Sequence, residues 1–399
     1  MKSLSAIDVK GKRLLVRADL NVPMQDGKVS DASRITRFAQ GMKPLLARGA
    51  RLVILTHFGR PKGVADPALS TRWLRDDLSR ALGCPVGFVG TCRGLDAEVA
   101  AASLGEGCVL LLENVRFEPG EEKNDDTLAR ALARLGDIYV NDAFSCAHRA
   151  HASTEAVARL MPAYAGPLME EELSALQSAL GQPRRPAVAI VGGAKVSTKI
   201  AVLKNLVAKL DAVIVGGGMA NTFLFAQGAP MGRSLHEADQ LQTVYEIEAL
   251  AARSGCKILL PEDVVIAREF REGVRRKIVP FDECPGDMMI LDAGTRSLRR
   301  FQEELAGAQT ILWNGPLGAF EIAPFDQSTV ALAQTAADLT RGGLATSVAG
   351  GGDTVAALNK AGVADRFTYV STAGGAFLEW LEGRALPGVA ALEAAKETV

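Results

Sequence analysis

LLVRADLN (14–21) and AIVGGAK (189–195) both begin as continuous apolar runs, but they end differently, one in arginine, acid and amide groups and the other in glycines. The contrast extends along the chain. LVILTHFGR (52–60), LLLENVRF (110–117) and IYVNDAF (138–144) end in polar and basic side chains, whereas AVIVGGG (212–218), LWNGP (312–316) and SVAGGG (347–352) end in glycine-rich turns. Unbroken apolar runs of this length are expected of strands covered on both faces. In open parallel α/β sheets, ligands bind in the crevice beyond the carboxyl ends of the strands. The first half therefore presents a crevice suited to a small polyanion, and the second a crevice suited to a nucleotide's phosphates.

Working outward, further apolar runs fall at 257–261 and 367–371, with helical stretches between the strands. DASRITRFAQGMKPLLARG (31–49) places Ile35, Phe38, Met42, Leu45 and Leu46 at helical spacing and stops at Gly49, and DDTLARALARLG (125–136) stops in the same way at Gly136. Strand and helix alternate, which predicts an α/β fold of two doubly wound, Rossmann-like parallel-sheet lobes. A chain of 399 residues with 48% apolar content is long enough for two cores. The seam is expected at 168–186, where the acidic-fronted helix MEEELSALQSALG (169–181) makes a semi-rigid hinge between a first domain (1–167) and a second (187–371).

A net charge of −1 offers no global positive field for nucleic acid or an anionic membrane, so an anion site must be local. Six cysteines show no CxxC pair, and no segment approaches a signal core or a membrane span, which predicts a soluble, cytoplasmic protein with free thiols.

Arg17, Asp19 and Asn21 alternate off the first strand; His57, Gly59 and Arg60 follow the second, Arg116 the third and Arg149 the fourth, while Arg34 opens the first helix. Guanidinium groups gathered at one sheet edge suit phosphate and carboxylate, which their planar fork binds in bidentate fashion. In CAHRAH (146–151), Cys146, His148 and His151 match no zinc spacing. In the second half, GGAKVSTK (192–199) follows a strand and is read as opening a helix, with Lys195 and Lys199 on one face. Neither GxxxxGK[ST] nor GxGxxG occurs, which argues against a Walker A loop and against a nicotinamide-dependent dehydrogenase. Asp353 sits at a helix start, where the residues by themselves favour capping over metal binding.

RADLNVP, THFGRP, ENVRF, NDAFSCAHRAH, GGAKVSTK, GGGMANTF, WNGPLGAFE, AGGGDT and STAGGAFLEWLEG resemble, in order and along essentially the full chain, the phosphoglycerate kinase family. The resemblance implies a monomer with 3-phosphoglycerate or 1,3-bisphosphoglycerate on the first lobe and MgATP or MgADP on the second, and transfer on domain closure. It also implies that the C-terminal segment 372–399 packs back on the first lobe. By position it assigns the acid substrate to Asp19, Asn21, Arg34, His57, Phe58, Gly59, Arg60, Arg116 and Arg149. It assigns the nucleotide to Gly193, Lys195, Lys199, Gly217, Asn314, Glu321, Gly351, Gly352, Asp353 and Thr354, with Arg34 and Lys199 catalytic and Asp353 the Mg2+ ligand. Ser145 and Cys146 depart from the usual Gly-Thr, and Ala373 replaces a glycine. A non-catalytic nucleotide- and anion-binding regulator of the same fold is the alternative; retention of Lys199, Asp353 and the arginines argues against it.

Overall fold

The computed structural model describes residue 4 and residues 7–25 and 28–395. The chain divides into two compact units, residues 1–173 with 385–399, and residues 174–384.

The first unit contains β1 (Arg13–Arg17), a small hairpin of β2 (Met24–Gln25) and β3 (Lys28–Val29), then β4 (Arg51–Leu55), β5 (Val86–Val89), β6 (Val109–Leu112), β7 (Ile138–Asn141) and β8 (Ala163–Ala165). Six of these form a parallel sheet in the order β5-β6-β4-β1-β7-β8. The order reverses at β1, so the loops after β1 and β7 flank the switch point at which such sheets bind ligands. β4, β6 and β7 are almost wholly buried, which is why they read as continuous apolar runs. The helix Ser33–Ala47 buries Ile35, Phe38, Ala39, Met42 and Leu45 on one face, and Gly49 beyond it takes a left-handed φ of 84°. Gly136 serves a different purpose from the helix stop expected of it. A Cβ there would lie 2.8 Å from Leu15 Cβ, so its glycine lets the chain pass close to β1.

The second unit contains β9 (Ala187–Val191), β10 (Ala212–Val215), β11 (Lys257–Leu259), β12 (Asp263–Ala267), β13 (Arg276–Pro280), β14 (Met289–Ala293), β15 (Thr310–Asn314), β16 (Thr346–Gly350) and β17 (Tyr369–Ser371). Its main sheet is parallel in the order β11-β10-β9-β15-β16-β17, the classical dinucleotide-fold order with its switch point between β9 and β15. β13, β12 and β14 form a separate antiparallel sheet that the apolar runs did not foretell.

The helix Pro167–Leu176 followed by a wider turn, Gln177–Gly181, replaces the single helix expected at 169–181, and the division between units falls inside it. Asp142 Oδ1 accepts the Leu168 backbone N–H at 2.7 Å and so satisfies a donor of that helix's first turn. The return to the first unit begins at Ala385, later than residue 372. The helix Gly375–Leu381 stays with the second unit, where Asn205 Nδ2 donates to the Leu381 carbonyl at 2.7 Å. Residues 396–399 of that segment lie outside the described residues.

Candidate functional site

At the switch point of the first sheet, a cavity of about 240 Å3 is lined by Asp19, Asn21, Arg34, His57, Gly59, Arg60, Arg116, Ser145, Cys146, His148, Arg149 and His151. The structure thus brings together eight of the nine residues assigned to the acid substrate. The ninth, Phe58, turns away and packs edge-on against Trp73 at 5.2 Å between ring centroids. Its carbonyl accepts a hydrogen bond from Asn114.

The wall is held by mutual hydrogen bonds. Arg34 Nη1 donates to Asp19 Oδ2 at 2.6 Å and to the Asn21 carbonyl at 3.2 Å. Ser145 Oγ donates to the same Asp19 oxygen. Asn21 Oδ1 accepts the Gly59 N–H at 3.1 Å, and Arg116 Nη1 donates to the Gly59 carbonyl at 2.8 Å. Gly59 has a φ of 61°, so the backbone itself is offered to both neighbours. Arg116 Nε is buried without an acceptor among the described residues, with Glu122 Oε1 3.8 Å away. Such a stranded donor beside a cavity suits an anion supplied from outside.

Arg17, read as the first of three residues alternating into the crevice, is instead wholly buried beneath it. Ser145 was legible only as a departure from a motif. Its place became predictable once β7 lay beside β1, because the loops after adjacent parallel strands share one edge. Asp19, His57 and Cys146 bring possible metal-ligand atoms within 4.8 Å of one another, a different trio from the cysteine and histidines of CAHRAH. Arg17 Nη2 stands 3.2 Å from His57 Nδ1 and 3.7 Å from Cys146 Sγ, and its charge opposes a cation there.

In the second unit, a cavity of about 370 Å3 is bounded by Gly193, Gly217, Pro316–Ala319, Glu321 and Asp353 on the side of the parallel sheet. Leu235, Pro261, Val264, Phe270, Met289, Ile290, Leu291 and Ala293 add an apolar wall, with Asp292 and Arg233 beside it. That wall comes largely from the antiparallel sheet and was not found from the sequence.

Glycines pack the loops of this edge backbone against backbone. A Cβ on Gly192 would sit 1.7 Å from the Pro316 carbonyl oxygen, and one on Gly217, whose φ is 67°, would sit 2.7 Å from the Gly193 oxygen. The clusters read as phosphate cradles are thus demanded first by loop packing.

Lys195 and Lys199 do not share a helix face: Lys195 is extended and exposed, and the helix Ile200–Val207 begins after Lys199. Lys199 Nζ folds back to the carbonyls of Gly192, at 2.7 Å, and Asn314, at 3.1 Å. Burial pushes its pKa down to about 8, against the opposing pull of Asp353. Asn314 Nδ2 donates to the Gly350 carbonyl at 2.7 Å, while its Oδ1 is buried without a partner among the described residues. Gly351 has a φ of 101° and precedes the helix Gly352–Lys360. Thr354 is buried and its Oγ1 accepts the Gly315 N–H at 2.7 Å, so its hydroxyl braces the loop. Asp353 does not cap its helix, contrary to the reading its position favoured; its carboxylate is exposed at the cavity rim.

A family model described as phosphoglycerate kinase matches residues 4–384. The chain belongs to the phosphoglycerate kinase family. It is accordingly a kinase that transfers a phosphoryl group to or from a carboxyl group. It is 59% identical over 392 residues to the phosphoglycerate kinase of Ruegeria sp. (strain TM1040), covering 98% of this chain and 99% of that one. It is 56% identical over 393 residues to that of Rhodospirillum centenum (strain ATCC 51521 / SW), with coverage of 98% and 99%. Among solved structures, the phosphoglycerate kinase of Coxiella burnetii superposes with a TM-score of 0.93 at 42% identity, over 99% of this chain and 100% of that one. That of Pyrococcus horikoshii OT3 gives 0.78 at 31% identity, over 98% of each. The reading as a non-catalytic regulator has no support among these phosphoglycerate kinase relatives.

Proposed function

We propose that this chain catalyses reversible, Mg2+-dependent phosphoryl transfer between 1,3-bisphosphoglycerate and ADP, giving 3-phosphoglycerate and ATP. The acid substrate occupies the polar cavity of the first unit and the nucleotide the apolar cavity of the second. The observation that carries this division is the chemistry of the two walls. One is lined by arginines and histidines with a stranded guanidinium N–H, and the other is a greasy slot that leads to Asp353.

The carboxylate of 3-phosphoglycerate is already a nucleophile, so the transfer needs positioning and charge stabilisation rather than a general base. Arg34, held by Asp19 and the Asn21 carbonyl, orients the acid beside Arg60, Arg116 and Arg149. Lys199 leaves its two carbonyls for the phosphoryl oxygens as charge develops on them. Glu321, at the mouth of the apolar slot, accepts from the ribose. Asp353 offers one exposed carboxylate, and one carboxylate with phosphate oxygens and waters fits Mg2+. When bound, the ion neutralises phosphate charge. We assign the chain as a monomer, and the net charge of −1 favours neither nucleic acid nor membrane. No helix among the described residues is long and apolar enough to cross a membrane, and we assign the enzyme to the cytoplasm.

Separate calorimetric titrations with 3-phosphoglycerate and with MgADP test the division. Arg34→Ala is expected to weaken the acid at least tenfold and leave the nucleotide unchanged, and Glu321→Gln the reverse. Equal loss of both ligands in either variant contradicts it.

A further inference from the structure

Arg17 ends β1 and is wholly buried, yet among the described residues it has no direct carboxylate partner. Its Nε donates to Ser153 Oγ at 2.8 Å, its Nη1 to the Ala18 carbonyl at 2.5 Å and its Nη2 to His57 Nδ1 at 3.2 Å. Ser153 Oγ in turn donates to Glu121 Oε1 at 2.6 Å, and Glu121 is also wholly buried. The guanidinium charge is thus balanced through a serine, and the fork is fixed from behind.

A guanidinium has only N–H donors and remains charged in proteins. His57 Nδ1 must therefore be the acceptor in its contact with Arg17. A neutral imidazole that accepts at Nδ1 carries its proton on Nε2. Among the described residues no hydrogen bond engages Nε2, and His57 lines the acid cavity. We infer that Arg17 is a positioning residue that locks His57 in the neutral Nε2–H form, so that the acid cavity gains a hydrogen-bond donor whose charge does not change with pH. The inference rests on the reading that this cavity takes the phosphoglycerate.

The surroundings agree. Arg17, Arg34, Arg116 and His151 face His57 with positive or protonatable groups, Asp19 brings one carboxylate and Cys146 a thiol. Protonating Nδ1 would set an N–H against the Arg17 N–H and add a charge to this group. Burial first, and then those arginines, hold His57 well below the usual histidine range.

The test reads the imidazole nitrogens of the ligand-free, full-length chain by long-range 1H–15N NMR from pH 5.5 to 8.5, with His57→Gln assigning the signals. It adds the pH dependence of KM for 3-phosphoglycerate in the native chain, in Arg17→Met and in Arg17→Lys. The native ring is expected to show the Nε2–H pattern throughout. Arg17→Met is expected to show mixed tautomers with a titration inside the range, and a KM that varies roughly tenfold across it while kcat moves less. Arg17→Lys, which still only donates, is expected to restore part of the native pattern. An Nδ1–H or charged ring in the native chain overturns the inference, and so does an Arg17→Met ring that keeps the native pattern. The native spectrum decides even where Arg17→Met fails to fold. Because it is recorded without ligand, it also stands apart from whether the chain turns over 3-phosphoglycerate at all.

Discussion

Lys199 Nζ lies 2.7 Å from the carbonyl oxygen of Gly192, at the strand end where the order of the second sheet reverses. The bond holds the ammonium where the loops after β9 and β15 meet, and Asn314 supplies the second carbonyl. A lysine parked on two neutral acceptors keeps its charge available for a stronger anion. Lys199→Ala is expected to lower kcat by roughly 100- to 1,000-fold while nucleotide affinity falls far less. The pH profile gives an independent reading. In the ligand-free enzyme Lys199 is charged below about 8 and loses its proton above it, so kcat/KM for the nucleotide should decline as pH rises through that value. Rates at low MgATP and saturating 3-phosphoglycerate from pH 6 to 9.5 check this, and a kcat/KM that stays level to pH 9.5 counts against the role.

Asp353 acts on the same site in two ways. It is the exposed carboxylate at the rim of the second unit's cavity, and its charge holds the Lys199 pKa up. Asp353→Asn should raise the Mg2+ concentration needed for half-maximal rate by at least tenfold. It should also shift the alkaline decline in kcat/KM for the nucleotide to lower pH. A variant that needs more Mg2+ but keeps its pH profile would separate the ion from the lysine.

Gly217 stands at a φ of 67°, and a Cβ there would meet the Gly193 carbonyl oxygen at 2.7 Å and the Gly193 nitrogen at 3.2 Å. Both the backbone conformation and the contact oppose a side chain. Gly217→Ala is expected to destabilise the second unit by about 1–3 kcal/mol. Thermal unfolding measures this directly. By contrast, Gly228→Ala, at a φ of 88° with open space around it, suffers only the conformational penalty and should cost less.

Asp292 is buried beside the second unit's cavity and accepts the backbone N–H groups of Ser328, at 3.0 Å, and Ala293, at 2.9 Å. Burial still pushes its pKa from the ordinary 3.8 up to about 7. The folded state therefore binds this proton more readily than the unfolded one. Its contribution to stability is full below the unfolded value and is lost as pH rises through about 7. The stability of the native chain minus that of Asp292→Asn should fall from pH 4 to pH 7, as followed by denaturant unfolding. A value that rises over that range contradicts the sign.

The residues that were legible in the sequence are those whose chemistry follows a buried strand directly. Asp19, His57 and Arg116 follow apolar runs that the structure makes into β1, β4 and β6, and their loops meet at one edge as parallel neighbours must. Arg17 was misread because alternation off a strand end places Arg17 and Asp19 on one face only while the chain stays extended. The fork of Arg17 turns inward to Ser153 and His57 instead. The glycines of the second unit were legible as turns but not as contacts. That Gly192 must clear Pro316 depends on β9 lying beside β15, a neighbour more than a hundred residues away. The antiparallel sheet escaped for another reason. β12, DVVIA, is a buried apolar run but stands too close to 257–261 to separate from it in the sequence, and β13, RKIVP, is largely exposed and charged, so the sheet and the Ile290 lining of the second unit's cavity went unread.

The central claim is that this chain moves a phosphoryl group between ATP and the carboxylate of 3-phosphoglycerate. The direct measurement supplies the purified chain with MgATP and 3-phosphoglycerate and follows the acyl phosphate through a coupled, NADH-consuming reduction. NADH loss is expected to require Mg2+, ATP and the acid together and to fall sharply in Lys199→Ala. Binding of both ligands with no turnover under any of these conditions would contradict it.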